Sequence, residues 1–357
     1  MPNILKLFFI VTAVFLFNLN AFKSVGQQVQ QVKYRNLIME GGGIRGIAYG
    51  GALNELQNRG ILQEIERVGG TSAGAIQAML LAIGYTPAEI TQVTYETDIK
   101  KFADGRFFFV GGILRLLNKY GWYRGERFSN FLGELLKRKG LSPDLTLAER
   151  HQLASKQNFR DLYVMGTNLS RQKAEVLSYE TYPNMKVRDA VRISMSIPLY
   201  FKAVGIDSTG KVVPLKKSPP AGVSIMVDGG VTANFPIHIF DEPRYFKAKD
   251  SLELAKGINP ETLGLRLDRP EQIAYDRQQG GLAPYQISGF NDYMSAFYTM
   301  VLENLNRATL KPEDWQRTIS INTLQYTPRI KKMLVADKEP LLKSGEEAVK
   351  EFFDQKP

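Results

Sequence analysis

Gly41-Gly42-Gly43-Ile44-Arg45-Gly46 decides how this chain begins to fold. It stands directly behind an apolar run, residues 34–39, that ends in Glu40. That run reads as a buried strand. Residues 47–57 follow with apolar positions at Ile47, Ala48, Leu53 and Leu56, the spacing of a helix, which Gly60 ends. The order then repeats: residues 61–68 lead through a second short strand to Gly70-Thr71-Ser72-Ala73-Gly74, and residues 75–83 are apolar enough for a helix buried all round. Two strand-loop-helix units in succession predict a parallel α/β fold.

The chain has 357 residues, 44% hydrophobic and 23% charged, which supplies a large core and excludes disorder over most of its length. Residues 7–17 are almost wholly apolar, follow Lys6, and are too short to span a bilayer comfortably. With the small residues Ser24 and Gly26 ahead of Gln27, residues 1–26 read as a signal peptide. Export is expected, to a periplasm, outer membrane or secreted fraction, since a chain without cysteine forms no disulfides. Removing residues 1–26 takes away Lys6 and Lys23 and no acid, so the net charge falls from +10 to +8. The remainder stays basic, which suits an anionic surface or serves solubility alone.

Residues 27–330 are expected to form one large domain and residues 331–357 a charged helical tail. Within residues 102–139, Phe107, Phe108, Phe109, Trp122, Tyr123 and Phe128 are interleaved with Arg106, Arg115, Lys119, Arg124 and Arg127. This stretch reads as an insertion over the core, either packed as a lid or exposed at a lipid interface. Further strands are predicted at 162–167, 174–178, 225–228 and 263–267, a helix at 187–196, and an exposed loop at 207–221.

Gly70-Thr71-Ser72-Ala73-Gly74 fits G-x-S-x-G, in which Gly70 and Gly74 let a serine sit on a sharp strand-to-helix turn with its hydroxyl exposed. The helix that follows favours negative charge beside Ser72. Gly41, Gly42, Gly43 and Gly46 leave backbone N–H groups free to meet a developing oxyanion, and Ala73 adds another. Arg45 either supplies positive charge there, or braces the loop, or is simply exposed. Gly41, Gly43 and Gly46 also satisfy the dinucleotide fingerprint, which asks for an acid such as Glu64 or Glu66 at the end of the second strand. The serine turn at that strand's end stands where the ribose would lie. Asp228-Gly229-Gly230 places a carboxylate at the end of an apolar strand, before two glycines able to turn tightly.

These three motifs in this order, with Ser194-Met195-Ser196-Ile197-Pro198-Leu199-Tyr200-Phe201 and Asn234-Phe235-Pro236, resemble the patatin-like phospholipase family. The resemblance covers residues 36–267, with Gly230 where many members have alanine. It implies a three-layer αβα sandwich with a mainly parallel central sheet, Ser72 as nucleophile, Asp228 as general base, and residues 41–46 as the oxyanion loop. A lipid or membrane-surface ester is then the expected substrate, cleaved through an acyl-enzyme. No cofactor, metal or nucleic acid is expected, since neither a His/Cys cluster nor a calcium-loop pattern occurs; the oligomeric state is left open. Only two histidines exist. His151 lies in a polar stretch and reads as surface. His238 leaves open a second reading, a Ser-Asp-His triad in the chain order of an α/β-hydrolase.

Overall fold

Leu37 and Met39 point to one side of a strand and Ile38 to the other, and all three are fully buried. A strand with apolar residues on both sides belongs inside a covered sheet. The computed structural model describes residues 33–105, 110–154, 159–215, 217–247, 257–278, 281–327 and 333–355. The expected signal peptide, and Arg106, Phe107, Phe108 and Phe109 of the insertion, lie outside the described residues. The chain divides into two units, Met1–Lys33 and Tyr34–Pro357, and the elements described all belong to the second.

In chain order the strands are β1 (Asn36–Met39), β2 (Arg67–Gly70), β3 (Gly121–Tyr123), β4 (Asp161–Asn168), β5 (Lys173–Leu177), β6 (Leu199–Phe201), β7 (Val204–Ile206), β8 (Val212–Val213), β9 (Ser224–Asp228), β10 (Thr262–Asp268) and β11 (Thr318–Asn322). In space β11, β10, β1, β2 and β4 lie side by side and run parallel. Beyond β4 the sheet turns antiparallel through β9, β7 and β8, with β5 also antiparallel to β4. β3 and β6 form a small separate parallel pair.

The register positions the site. Gly70 on β2 lies opposite Val164 of β4, and Asp228 on β9 lies opposite Gly166 of β4. The chain therefore leaves β2 toward Ser72 at the level where β9, running the other way, arrives at Asp228.

On one face, Leu37, Met39, Leu162, Val164, Leu263, Leu265 and Leu267 share a core with the helices Ala48–Asn58, Ala73–Ala82, Glu126–Arg138, Val187–Ser194 and Val335–Asp354. Each such large apolar side chain contributes about 1.5–3 kcal/mol on burial. On the other face, Ile38 and Tyr163 pack with Phe235, Ile237, Phe240 and Tyr245. The helix Phe290–Thr309 covers part of that face, through Glu303 bound to Arg266 of β10. The result is the three-layer α/β sandwich with a mainly parallel centre.

Four expectations change. Residues 61–64 are not strand: around Gly60, which has φ +74°, the N–H groups of Ile61 and Leu62 donate back to Leu56 O (2.9 and 3.1 Å) and close the preceding helix. Residues 126–138 are not laid over the core but belong to it, with Leu132, Leu135 and Leu136 fully buried. Nor is the C-terminal segment an appended tail. Its helix Val335–Asp354 lies so close to Ala48–Asn58 that a Cβ on Gly51 would stand 1.8 Å from Leu342 O, and one on Gly345 would stand 2.0 Å from Ala48 O. The loop expected at 207–221 also contains β8, paired to β7.

Candidate active site

Ser72 sits between β2 and the helix Ala73–Ala82 with φ +51° and ψ −116°, a conformation costing an L residue about 1–3 kcal/mol. The neighbours make the turn possible. A Cβ on Gly70 would meet Gly74 C at 2.7 Å, and one on Gly74 would meet Met39 O at 2.2 Å. Polar contacts then fix it: Thr71 Oγ1 donates to Ala233 O (2.8 Å), and the Ser72 N–H donates to Ser194 Oγ (2.9 Å). The Ser72 hydroxyl points at Met195 Sδ (3.3 Å).

The glycine loop is held from below. Gly41 N–H donates to Asn234 O (3.1 Å), while Asn234 Nδ2 donates to Gly41 O and to Glu40 Oε1 (both 3.1 Å). Glu40 Oε2 accepts the Leu267 N–H (2.7 Å). A Cβ on Gly41 would stand 2.3 Å from Asn234 Oδ1, and one on Gly42 would stand 2.3 Å from Leu267 Cδ1. Gly43 has φ +56°, and Gly46 stands against Ala73. Among the described residues no protein acceptor takes the N–H of Gly42, Gly43 or Ala73, all of which line one cavity. Arg45 is not among these donors. It is buried, with Nε on Gly42 O (3.3 Å) and Nη1 on Leu267 O (3.1 Å), so it braces the loop and is neither exposed nor part of the oxyanion group.

That cavity, about 510 Å³, brings together Gly41, Gly42, Gly43, Gly46, Ser72, Ala73, Asp228 and Asn234 at a polar end. Ile76, Leu80, Val93, Phe102, Phe128 and Phe131 form apolar walls. Asp228 is buried; its Oδ1 accepts the Gly230 N–H (2.7 Å), and its Oδ2 has no hydrogen-bond partner. Burial pushes its carboxyl up to about 7, with the Gly230 N–H and then the Ser72 hydroxyl opposing. Gly229 is needed beside it, because a Cβ there would stand 2.5 Å from Met165 O.

Neither histidine joins this group. His238 Nδ1 bonds Asp241 Oδ2 (2.9 Å), and Nε2 bonds Thr309 O (2.9 Å), so both ring nitrogens are engaged elsewhere. His151 is half-exposed, paired with Asp161 (2.8 Å) and stacked on Tyr179 at 3.6 Å between ring centres. His238, Asp241 and Asp314 stand close enough together to hold a cation, but Arg317 supplies that charge, 2.6 Å from Asp241 Oδ1 and 2.7 Å from Asp314 Oδ1. The dinucleotide reading also loses its acid, because Glu64 and Glu66 precede β2 and Glu66 pairs with Arg35 and Lys247. Sequence reasoning missed the roles of Glu40, Asn234 and Ser194. The signal was their adjacency to the motifs: Glu40 directly before the glycines, Ser194 and Asn234 inside the flanking blocks.

The chain is 34% identical over 220 residues to YqhO of Bacillus subtilis, a match covering 59% of this chain and 68% of that protein. It is 29% identical over 208 residues to a protein of Invertebrate iridescent virus 6 named Probable lipid hydrolase 463L, covering 58% of this chain and 63% of that one. The matched region thus spans about two thirds of these relatives. The crystal structure of VipD from Legionella pneumophila shares the fold, with TM-score 0.57 and 18% identity, covering 90% of this chain and 67% of that chain. The family model for patatin-like phospholipase matches residues 37–241, which hold the glycine loop, Ser72 and Asp228. With more than half its length matched, the chain belongs to the patatin-like phospholipase family.

Proposed function

We propose that this protein is a lipid acyl hydrolase that cleaves carboxylic esters through Ser72 and Asp228. The observation that carries the reading is one cavity in which a strained serine and a carboxylate with an unpartnered oxygen share a polar end, while Ile76, Leu80, Val93, Phe102, Phe128 and Phe131 give much of the rest an apolar wall. The apolar walls suit an acyl chain, and the polar end suits the ester.

Rotation of the Ser72 side chain away from Met195 brings its hydroxyl to Asp228 Oδ2. As Ser72 Oγ bonds to the carbonyl carbon, its proton passes to Asp228, and the carbonyl oxygen takes the negative charge. The N–H groups of Gly42, Gly43 and Ala73 receive that oxyanion, each such donor being worth about 3 kcal/mol in the transition state. Collapse breaks the ester C–O bond, the leaving alcohol takes the proton from Asp228, and Ser72 is left acylated. Water then repeats the sequence, giving its proton to Asp228 and releasing the fatty acid. An aspartate near its ordinary value of 3.8 would be a poor base; burial raises it toward the range where proton transfer is favourable.

A fluorophosphonate probe should label wild-type protein at Ser72 and fail on Ser72→Ala. Profiling of a mixed lipid extract should then show fatty acid release by wild type alone. Labelling at another residue, or equal release by Ser72→Ala, sinks the proposal. We also propose residues 1–26 as an export signal; a mature protein beginning at Met1 would refute it.

A further inference from the structure

Helix Val110–Lys119 exposes Ile113, Leu114 and Leu117, the last at 68%. Positions 113, 114 and 117 lie on one side of a helix. Its other side is anchored: Gly112 lies against the Trp122 ring, where a Cβ would stand 2.5 Å from Trp122 Cε2, and Arg115 Nε donates to Trp122 O (2.8 Å). β3 leads on from this helix and pairs with β6, placing Leu199, 69% exposed, opposite Gly121. Leu199 has φ +67°, a conformation disfavoured for a branched apolar residue, yet it is turned outward. Four large apolar side chains thus face water from two adjoining elements, more than scattered exposure explains.

Cations border them. Lys119 and Arg127 are exposed, and the Arg124 side chain is 40% exposed, with Glu126 3.7 Å away as its acidic partner. Lys202 follows β6, its N–H bonded to Tyr123 O (2.8 Å), and among the described residues no acceptor meets its ammonium. Burial holds Lys202 below its ordinary value; Glu126 opposes, and Arg192, Lys119 and Arg124 push it further down. Several positive groups are therefore gathered, with Glu126 beside them and the buried Asp104 beneath.

The group adjoins the cavity. Met195 and Ile197, which line it, lie shortly before Leu199, and Phe102 lines it shortly before Asp104. The Asp104 carboxylate accepts the N–H groups of Gly125, Glu126 and Arg127 at 2.6, 2.8 and 2.9 Å, tying this wall to the cationic segment.

We propose that helix Val110–Lys119 together with the β3–β6 pair is a docking surface for an anionic phospholipid bilayer, with Ile113, Leu114, Leu117 and Leu199 entering the interface and Lys119, Arg124, Arg127 and Lys202 meeting head groups. Exposed leucines beside snorkelling cations match an interfacial element, and the charge complementarity selects an anionic bilayer over a neutral one. The proposal deepens the lipid hydrolase reading, on which its purpose rests. Its position beside the cavity would let a lipid pass from bilayer to Ser72 without crossing bulk water.

The test is sedimentation of wild type, Leu114→Ser/Leu117→Ser and Lys119→Ser/Arg124→Ser with phosphatidylcholine vesicles, with or without phosphatidylglycerol. Hydrolysis of a soluble short-chain ester and thermal melting are followed in parallel. Each basic residue at such a surface contributes about fivefold, so the double charge variant should bind anionic vesicles roughly thirtyfold more weakly. The leucine variant should lose at least as much, with melting and soluble-ester turnover unchanged in both. Wild type should bind neutral vesicles far more weakly than anionic ones. Undiminished vesicle binding by both variants would overturn the proposal. So would its loss in Phe290→Ser/Phe297→Ser alone, since helix Phe290–Thr309 also exposes apolar side chains, Phe290 at 76% and Phe297 at 52%. Vesicle binding by a protein that hydrolyses no ester would instead sink the hydrolase reading and leave the surface standing.

Discussion

The two faces of the sheet bury their residues on different terms. On the face toward Ala48–Asn58 and Ala73–Ala82 the contacts are apolar and close, and glycines let two helices touch backbone to backbone. On the opposite face the aromatic cluster around Tyr163 is small, and buried charge surrounds it. There Arg266 meets Glu303 (2.5 Å) and Asp268 (3.1 Å), and Arg317 meets Asp241 and Asp314. Two buried carboxylates condense the contrast. Both oxygens of Glu40 accept hydrogen bonds, from Asn234 and Leu267, and the residue holds the glycine loop in place. Asp228 keeps one oxygen unpartnered, in the cavity that contains Ser72. A buried carboxylate with both oxygens engaged holds a loop in place, whereas one with an oxygen left open beside a nucleophile is available for chemistry.

The contrast is broken most directly at Asp228. Asp228→Asn should lower soluble-ester turnover by about 10²–10⁴-fold, the usual worth of a general base. Stability should move the other way. The folded protein binds this proton more tightly than the unfolded chain, so the stability it contributes is full below about pH 3.8 and is lost as pH rises through about 7. A rise from 3.8 to about 7 corresponds to about 4 kcal/mol, so urea melts should show the variant more stable than wild type at pH 8 and equal to it at pH 3.5. Wild-type kcat/KM should climb with pH and level off above about 7, since the base must be ionised. A melt difference independent of pH would remove Asp228 as a buried, costly carboxylate.

On the charged face, Arg266→Met should cost about 3–5 kcal/mol in denaturant melts at pH 7, because Glu303 and Asp268 would be left buried without a counter-charge. A loss under about 1 kcal/mol would show that the network is not what holds that face. Asn234→Ala sits between the two regions. It strands Glu40 Oε1 and Gly41 O, for about 1–3 kcal/mol of stability, and lets the oxyanion loop relax, so kcat should fall about tenfold while KM changes little. The smallest effect belongs to His238→Ala. Turnover should stay within about twofold, and stability should drop by about 1 kcal/mol through the lost bonds to Asp241 and Thr309. A loss of turnover as large as that of Ser72→Ala would restore the triad.

Some elements were legible because local pattern and tertiary role coincide. β1, β4, β9 and β10 carry apolar residues on a short repeat bounded by turn residues, and the two glycine motifs stand at strand ends, where backbone must pass close to backbone. β11 carries the same signal in Ile319 and Ile321 alternating with Thr318, Ser320 and Asn322, though it is not among the strands predicted above. β6, β7 and β8 had almost none, being two or three residues long and held by partners distant in sequence. Arg45 was undecidable locally, because its acceptor Leu267 O lies on another strand.

The sequence by itself determined the order of strand, glycine loop, helix and serine turn, and with them the chemical inventory: one serine on a turn, one aspartate before two glycines, and two histidines to place. These follow from steric rules acting over a few residues. Only the tertiary structure decided which groups meet. It set Asp228 level with Ser72 across β4, turned both nitrogens of His238 toward other partners, made Arg45 a brace, and drew the C-terminal helix into the core. Each depends on strand register or on contact between residues far apart in the chain, which is settled by packing the whole sheet rather than by any local preference.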